Sequence, residues 1–230
     1  MRNEQPQRLV ELVDGLDPLY RYLCFDGYGF KHAFFDHPKD ASALRRLDGL
    51  PGYARNAAYH GVGRAFWFRF MAEPGVLIDQ LSLLGPHAVD AAAGVGLASV
   101  FVNPDRLDTA RSLAERMPTK WQSHVHLGMC FGLQARSLNN PRQFERDLTS
   151  VDESVQGAVM ASIGECDRIE QAVRAHGQPD GYRRWRERVT AWLEQNIEYP
   201  MSGVMANDRD AVGRREHTGG PTARATHMAV

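Results

Sequence analysis

Lysine is scarce in this sequence of 230 residues, because only Lys31, Lys39 and Lys120 occur among its 27 basic residues. The 28 acidic residues nearly balance the basic ones, so the chain lacks the positive excess that attracts nucleic acid or anionic membranes. The longest uncharged apolar run, residues 91–102, is shorter than the roughly 20 residues that a membrane span needs. These absences exclude a generic nucleic-acid-binding role and predict a soluble protein without a membrane span.

Cysteine is rare as well. Cys24, Cys130 and Cys166 are an odd number without metal-site spacing, and each lies in an apolar helical context. The first sixteen residues also lack the basic segment followed by an apolar one that defines a secretion signal. We therefore expect reduced, buried thiols in a cytoplasmic protein.

The sequence does contain a repeat of about 34 residues. Gly-x-Gly pairs recur at positions 27/29, 61/63 and 94/96, and a degenerate fourth copy surrounds Gly128. A large apolar residue followed by a helix breaker lies about eleven residues before each copy. A proline opens the other half of each unit, at positions 38, 74, 104 and 141, where a first helical turn tolerates it. Because the glycine pairs, the helix breakers and the prolines recur in the same order at about the same spacing, they indicate repeated structural units.

Each unit has the pattern of a short helix followed by a longer one, such as residues 105–116 and 121–136. Asn103, Pro104 and Asp105 supply a cap residue, a first-turn proline and an acidic first turn, and no segment alternates as a strand would. The predicted fold is all-α, an α-α superhelix of about four to five stacked helix pairs with the tetratricopeptide or Sel1-like period. The repeats cover residues 16–165, including a degenerate fifth unit at 151–164.

The C-terminal part of the chain has a different character. Capping helices are predicted at 166–198, which completes a single helical-repeat domain over 1–198, and a disordered tail is predicted at 199–230. Apolar residues from Tyr182 to Leu193 share one face of a helix over 181–198, and this face should cover the last repeat. The other face, with Arg183, Arg184, Arg186 and Arg188, should face water or dock an acidic partner.

Two glycines inside one helix are unusual, because each lowers helix stability by about 1 kcal/mol relative to alanine. Residues i and i+2 point to nearly opposite sides of a helix. One interpretation is that each longer helix is squeezed between its own partner and the next repeat. The other is that the pair breaks the helix into a turn with positive φ that lines a groove. A dinucleotide-binding loop is excluded because no strand precedes the pair and the third glycine is missing.

The strings Phe-Asp-Gly-Tyr-Gly-Phe at 25–30 and Tyr-His-Gly-Val-Gly-Arg at 59–64, with His-Leu-Gly at 126–128, resemble a bacterial family of unknown function. Members of that family are often encoded in enediyne and related polyketide gene clusters. The resemblance covers about residues 10–195. The position before the first glycine is typically acidic in the family; Asp26 agrees, whereas His60 and Ala93 depart. The resemblance implies a part in specialised metabolism and brings no established catalytic residue.

Asp26 and His60 occupy the same place in consecutive repeats and are the candidate catalytic residues. One repeat step should separate them by about 10 Å, too far for a hydrogen bond but close enough to line one groove. There they would act as general base and acid on a bound substrate. The alternative is that both side chains satisfy backbone groups beside the glycines.

Aromatic residues are concentrated in the first two units, and most of them must form the core. A surplus would form a groove for a ligand or partner, lined by Tyr28, Phe30, Arg64, Trp67 and His126. Metal binding is not expected. His124 and His126 point different ways on a helix, and His32 with Asp36 supplies only two ligands. No other cofactor is predicted.

The sequence leaves two functions open. The first is a helical-repeat scaffold or binding protein that holds a partner protein or a hydrophobic intermediate on its concave surface. The second is a metal-independent enzyme that acts on a hydrophobic polyketide-like substrate near Asp26 and His60. A filled interior would count against the enzyme, and a deep pocket between the first two repeats would favour it.

Overall fold

The computed structural model describes residues 6–36, 41–102, 106–177 and 180–196, and all regular structure in these ranges is helical. The all-α prediction is confirmed. None of the helices in these ranges combines the length and the hydropathy that crossing a bilayer requires. The α-helices are α1 (Pro6–Val13), α2 (Leu23–Phe34), α3 (Tyr53–Arg69), α4 (Pro74–Ser82), α5 (Ala88–Phe101), α6 (Leu107–Arg116), α7 (Thr119–Asn139), α8 (Pro141–Leu148), α9 (Glu153–Ala175) and α10 (Gly181–Gln195), with 3₁₀ helices at Ala41–Gly49 and Gly85–His87.

Two of the four proline landmarks begin helices as predicted. Pro74 and Pro141 stand in the first turns of α4 and α8. The side chain of Asn140 accepts a hydrogen bond from the Gln143 amide (3.2 Å), which satisfies one of the free N–H groups at the start of α8. The landmarks at positions 38 and 104 lie outside the described residues.

The longer helices α2, α3, α5 and α7 form a row in which all four run parallel. Between α2 and α3, side-chain contacts join residues 22 with 53, 26 with 60, and 34 with 68, so they advance in the same direction along both helices. Between α5 and α7, the close backbone contacts join residues 93 with 128 and 97 with 132. The short helices and 3₁₀ segments between them return the chain to the same starting edge.

Glycine brings these helices into direct backbone contact. A Cβ atom at Gly61 would lie 1.9 Å from the carbonyl oxygen of Asp26 on the preceding helix. A Cβ atom at Gly63 would lie 1.8 Å from the carbonyl oxygen of Ala91 on the following helix. The pair in α5 repeats this pattern, and the second glycine of α2 meets Ala58. In α3 and α5 the first glycine of the pair therefore faces the preceding long helix and the second faces the next one, whereas Gly27 of α2, the first helix of the row, has no such neighbour.

This packing decides between the two interpretations of the glycine pairs. They lie inside helices, whereas the glycines with positive φ in the described chain are Gly52, Gly85 and Gly177. The turn interpretation is therefore wrong. The expected neighbours also need correction, because each pair lies between the long helices of adjacent units and not against the short helix of its own unit.

The last two helices close the structure back onto its beginning. The start of α10 reaches the first two helices of the row, where the ring of Tyr182 lies 5.8 Å from Tyr22 and 6.1 Å from Tyr53. On α9, Glu170 accepts a hydrogen bond from the Tyr20 hydroxyl (2.6 Å). α10 also packs against the last long helices, as predicted for a cap: the Trp185 ring lies 4.5 Å from Phe131 of α7, and its Nε1 donates a hydrogen bond to the Cys166 carbonyl of α9 (3.0 Å). The prediction did not include the additional contact with the starts of α2 and α3.

Two further expectations differ from the structure, and a third is not tested by it. The predicted boundary at 165/166 falls inside α9, which is one continuous helix. Cys130 and Cys166 are buried free thiols as expected, but Cys24 is only half-buried. The predicted tail at 199–230 and the predicted helix end at 197–198 lie outside the described residues.

Candidate functional site

Asp26 and His60 are in direct contact, which corrects the expected separation of about 10 Å. The Nδ1 atom of His60 lies 2.5 Å from a carboxylate oxygen of Asp26. The prediction was wrong because Gly61 removes the side chain that would otherwise hold the two helices apart. Asp26 and His60 are 4% and 1% exposed, so the pair is enclosed between α2 and α3.

Arg64 completes the first part of the site, one turn after His60 on α3. Its guanidinium forms an ion pair with Asp26 and lies 5.1 Å from the centre of the Phe30 ring. The Arg64 side chain is partly exposed, so this ion pair reaches the protein surface. Arg64 therefore balances the charge of Asp26 from the solvent side.

A second cationic side chain reaches the site from α10. Arg186 is only 4% exposed and lies over the Tyr182 ring at 5.8 Å. Its positive charge acts on Asp26 and also on Asp90 of α5, which accepts a hydrogen bond from Asn56 (2.9 Å). We call Asp26, His60, Arg64, Asp90 and Arg186 the charged cluster. It lies between the row of long helices and α10.

The environment of His60 favours its neutral form. Burial is the main cause that lowers the pKa of His60 to about 4, assisted by the positive charges of Arg186 and Arg64 and opposed by Asp26. Burial alone would raise the pKa of Asp26, but His60, Arg64 and Arg186 together hold it below its ordinary value. At neutral pH the site therefore contains an aspartate that accepts a hydrogen bond from a neutral imidazole.

This protonation state determines what His60 can do. Because Nδ1 carries the hydrogen that is donated to Asp26, Nε2 carries a free lone pair. Neither Nε2 of His60 nor Nη1 of Arg186 has a hydrogen-bond partner among the described residues, and both atoms are buried. A buried polar atom without a partner is costly. An Asp–His pair with a free Nε2 can accept a proton from a substrate hydroxyl, as a general base does.

The structure brings together only part of the predicted groove. Phe30 and Arg64 are in contact and border the charged cluster. Trp67 is buried in the apolar core, and Tyr28 lies half-buried beside the ring of His32 (5.4 Å). His126 is half-buried on α7, where burial lowers its pKa.

Two members of the charged cluster, Asp90 and Arg186, were not predicted from the sequence, although the spacing of each along the chain indicated its position. Asp90 follows Asn56 by 34 residues, the repeat period, and the two form the same kind of contact between helices as Asp26 and His60. Arg186 was assigned to a solvated face, which is wrong. It lies four residues after Tyr182 and three before Val189, so helical spacing places it on the apolar face.

No group of three or more histidine, cysteine, aspartate or glutamate side chains in the described ranges could hold a metal ion. His32 and Asp36 form a hydrogen bond with each other on the protein surface. Burial is the main cause that lowers the pKa of His124, with Arg186 acting in the same direction.

A second feature lies where the four parallel helices end. Because they run in one direction, their C-terminal ends share one edge of the protein, and each end carries exposed apolar side chains. Met71 is 86% exposed, Leu138 is 72% exposed and Phe35 is 63% exposed. We call this set the apolar edge: Phe35, Phe68, Met71, Phe101, Val102 and Leu138.

Arginines from neighbouring helices fix two of these ends. Arg69 of α3 donates a hydrogen bond to the Ala33 carbonyl near the end of α2 (2.9 Å). Arg136 of α7 donates one to the Phe101 carbonyl at the end of α5 (2.7 Å). Each arginine satisfies a carbonyl that the helix itself leaves free and places positive charge at the negative end of the helix dipole. The apolar edge is therefore held in a defined arrangement.

Comparison with known proteins gives a family but no function. A family described as "Protein of unknown function (DUF1702)" matches residues 2–193, and the chain belongs to this family. No curated protein and no solved structure matches the chain.

Proposed function

We propose that this member of the family is a binding protein of bacterial specialised metabolism whose apolar edge holds an apolar helix of a partner protein. The exposed apolar ends of four parallel helices carry this proposal. Isolated exposed apolar residues are ordinary on protein surfaces, but several large ones at the same end of neighbouring helices are typical of an interaction site. The metabolic setting comes from the family resemblance in the sequence.

The proposal includes a fold of stacked helix-pair repeats with the tetratricopeptide-like period, an α-α superhelix. It is supported by the constant relationship between neighbouring long helices. Gly61 meets the carbonyl of residue 26, and Gly94 meets the carbonyl of residue 60, so both contacts span 34 or 35 residues. Stacked units of one kind give successive helix ends the same direction, which places the exposed apolar residues of these ends at one edge.

The shape of the apolar edge favours a protein partner over a small hydrophobic intermediate. Helices packed side by side lie at most about 8–10 Å apart, so four of them span roughly 25 Å. A partner helix of about 17 residues has this length and presents apolar residues along one stripe. A small molecule is instead bound in a concave site that surrounds most of it. The Asp26–His60 pair, which the sequence suggested as part of a groove, is buried, whereas the edge carries some of the most exposed large apolar side chains of the described residues.

The test compares edge variants in their capture of proteins from the source organism. Leu138→Glu introduces a charge at a highly exposed position. Met71→Asn removes an apolar side chain at a residue with φ of 51°, a conformation that asparagine tolerates. Met160→Glu is the matched control, because Met160 is exposed on α9, away from the edge. Captured proteins are quantified by mass spectrometry after each variant has been shown to fold by circular dichroism.

The expected result is a protein retained by the wild type and by Met160→Glu, with at least about tenfold less retained by both edge variants. Burying a charge without a partner in an apolar interface costs enough to produce such a loss. Equal capture by all four proteins would contradict the proposal. So would edge-dependent recovery of a small hydrophobic molecule in place of a protein.

A second function is supported by the unpartnered Nε2 atom of His60. A metal-independent enzyme would use the Asp26–His60 pair as a base and Arg64 to stabilise developing negative charge on a hydrophobic polyketide-like substrate. The pair is enclosed under α10, so substrate entry would require this helix to move. This requirement places the enzyme second to the binding protein.

The enzyme is tested by His60→Asn in the producing organism. Asparagine retains a side-chain N–H for Asp26 but has no atom equivalent to Nε2. His32→Asn is the control, because it changes a histidine that also forms a hydrogen bond with an aspartate, Asp36, but on the protein surface. Loss of the pathway product with His60→Asn alone, in a protein that still folds, would support the enzyme. Full product formation by His60→Asn would contradict the enzyme hypothesis.

A further inference from the structure

A cavity with both polar and apolar walls opens near the other end of α3, away from the apolar edge. It has a volume of about 450 Å³ and lies between the 3₁₀ helix at Ala41–Gly49, the first half of α3 and the segment before α5. Its polar walls come from Arg45, Asp48, Arg55, Tyr59 and His87. Its apolar rim includes Leu83, Leu84 and Pro86.

The polar walls are held by contacts that leave the shape of the cavity well defined. The Tyr59 hydroxyl donates a hydrogen bond to Asp48 (2.8 Å). The rings of Tyr59 and His87 are stacked, with centres 4.1 Å apart and planes within 5°. The Arg55 guanidinium donates two hydrogen bonds to the Leu50 carbonyl (3.3 and 3.2 Å). An ordered site of this kind loses little conformational freedom when a ligand binds.

The charges in the cavity favour an anion. Arg45 and Arg55 are both close enough to Tyr59 for their charges to act on its hydroxyl. Asp48 is the carboxylate that faces them, and it is already engaged by Tyr59. Burial is the main cause that lowers the pKa of His87, so His87 is neutral at pH 7. Two guanidinium groups against one engaged carboxylate leave a net positive charge.

The helix dipoles act in the same direction. The polar wall residue His87 immediately precedes the N-terminus of α5, and Arg55 lies in the first turn of α3. The N-terminus of a helix carries a partial positive charge, which stabilises a nearby anion. The cavity therefore combines side-chain and backbone charge of the same sign beside an apolar rim.

We propose that this cavity binds an organic carboxylate, with the carboxylate group between Arg45 and Arg55 and the hydrocarbon part against Leu83 and Leu84. Guanidinium groups match the planar, two-oxygen geometry of a carboxylate. The apolar rim gives a hydrocarbon part a contact surface that a bare inorganic anion would not use. This site is separate from the apolar edge and does not depend on the proposed partner.

The test is calorimetric titration of the full chain with three probes. Benzoate supplies a carboxylate and a flat apolar ring, benzamide has nearly the same shape without the charge, and inorganic phosphate has charge without an apolar part. We expect benzoate to bind with a Kd of about 1 mM or tighter. Benzamide and phosphate should each bind at least about tenfold more weakly, because each lacks one of the two contacts.

Variants connect this binding to the cavity. Arg45→Gln removes an exposed guanidinium that has no described role in folding, and it should weaken benzoate binding at least about tenfold. Arg46→Gln, one residue further along the same 3₁₀ helix and outside the cavity, should leave binding unchanged. The proposal is overturned if the wild type does not bind benzoate, if benzamide or phosphate binds equally well, or if Arg45→Gln binds benzoate as the wild type does.

Discussion

Gly61 lies against the carbonyl oxygen of Asp26 so closely that a methyl group at Gly61 would be 1.9 Å from that oxygen. The adjacent residue, His60, forms its hydrogen bond with the side chain of the same aspartate. One helix contact therefore sets both the packing of the row and the geometry of the charged cluster. A change that separates α2 from α3 should disturb both.

The buried neutral state of His60 predicts a loss of stability in mild acid. The pKa of His60 is about 4 in the folded protein, whereas an unfolded chain has a histidine pKa of about 6.5. The unfolded state therefore binds a proton first as the pH falls, so the contribution is complete above pH 6.5 and is lost toward pH 4. Between pH 7 and pH 5 the free energy of unfolding should fall by about 2 kcal/mol through this residue alone.

Urea unfolding of the wild type and of His60→Asn at both pH values measures this contribution. His124 and His126 also have lowered pKa values, but they are present in both proteins and cancel in the comparison. His60→Asn should lose about 2 kcal/mol less than the wild type between pH 7 and pH 5. An identical loss in the two proteins would show that His60 is not buried as a neutral group.

Removal of the buried guanidinium of Arg186 should lower the free energy of unfolding more than removal of the exposed guanidinium of Arg188 on the same helix. Arg186→Met leaves Asp26 and Asp90 without the cation that α10 supplies, and we expect the free energy of unfolding to fall by about 3–5 kcal/mol. Arg188→Met changes an exposed position of the same helix and should cost less than about 0.5 kcal/mol. Denaturant unfolding compares the two. Similar values for both variants would contradict the burial of Arg186.

Much of the fold could be predicted because the signals are local. Prolines at 74 and 141 mark helix starts, and the spacing of glycine pairs gives the period of the long helices. Burial on two opposite sides follows from the 200° between residues i and i+2. Which helix packs against each glycine could not be predicted, because a glycine indicates a close approach of another segment without identifying that segment.

The charged cluster was harder to predict because it depends on distance between elements. Asp26 and His60 were recognised as partners, but their separation depends on how far Gly61 lets the helices approach. Arg186 was assigned to the solvent-facing side together with Arg183, Arg184 and Arg188, and the assignment is wrong for Arg186 alone, since the other three are exposed or half-buried. The spacing of Arg186 from Tyr182 and Val189 places it on the apolar face, but which charges it meets there depends on long-range contacts between helices.

Arg69 at the end of α3 should stabilise the last turn of α2 against unfolding. Arg69→Met keeps an apolar side chain beside Phe70 but removes the hydrogen bond to the Ala33 carbonyl. We expect a loss of about 1 kcal/mol in the free energy of unfolding and faster amide hydrogen exchange in the last turn of α2. Arg69→Lys keeps a charged donor and should recover part of both effects. Unchanged exchange in Arg69→Met would show that this arginine does not fix the helix end.

Paired glycines hold the long helices in backbone contact, and two alanine substitutions test this packing most directly. Gly27 and Gly61 are the same member of successive glycine pairs, but a Cβ atom at Gly27 would have no neighbour within 4 Å, whereas at Gly61 it would collide with Asp26. Thermal and urea unfolding should show Gly27→Ala stabilised by up to about 1 kcal/mol, through helix propensity. Gly61→Ala should be destabilised by about 1–3 kcal/mol or more, through overpacking. Stabilisation of both variants would contradict the close contact between α2 and α3.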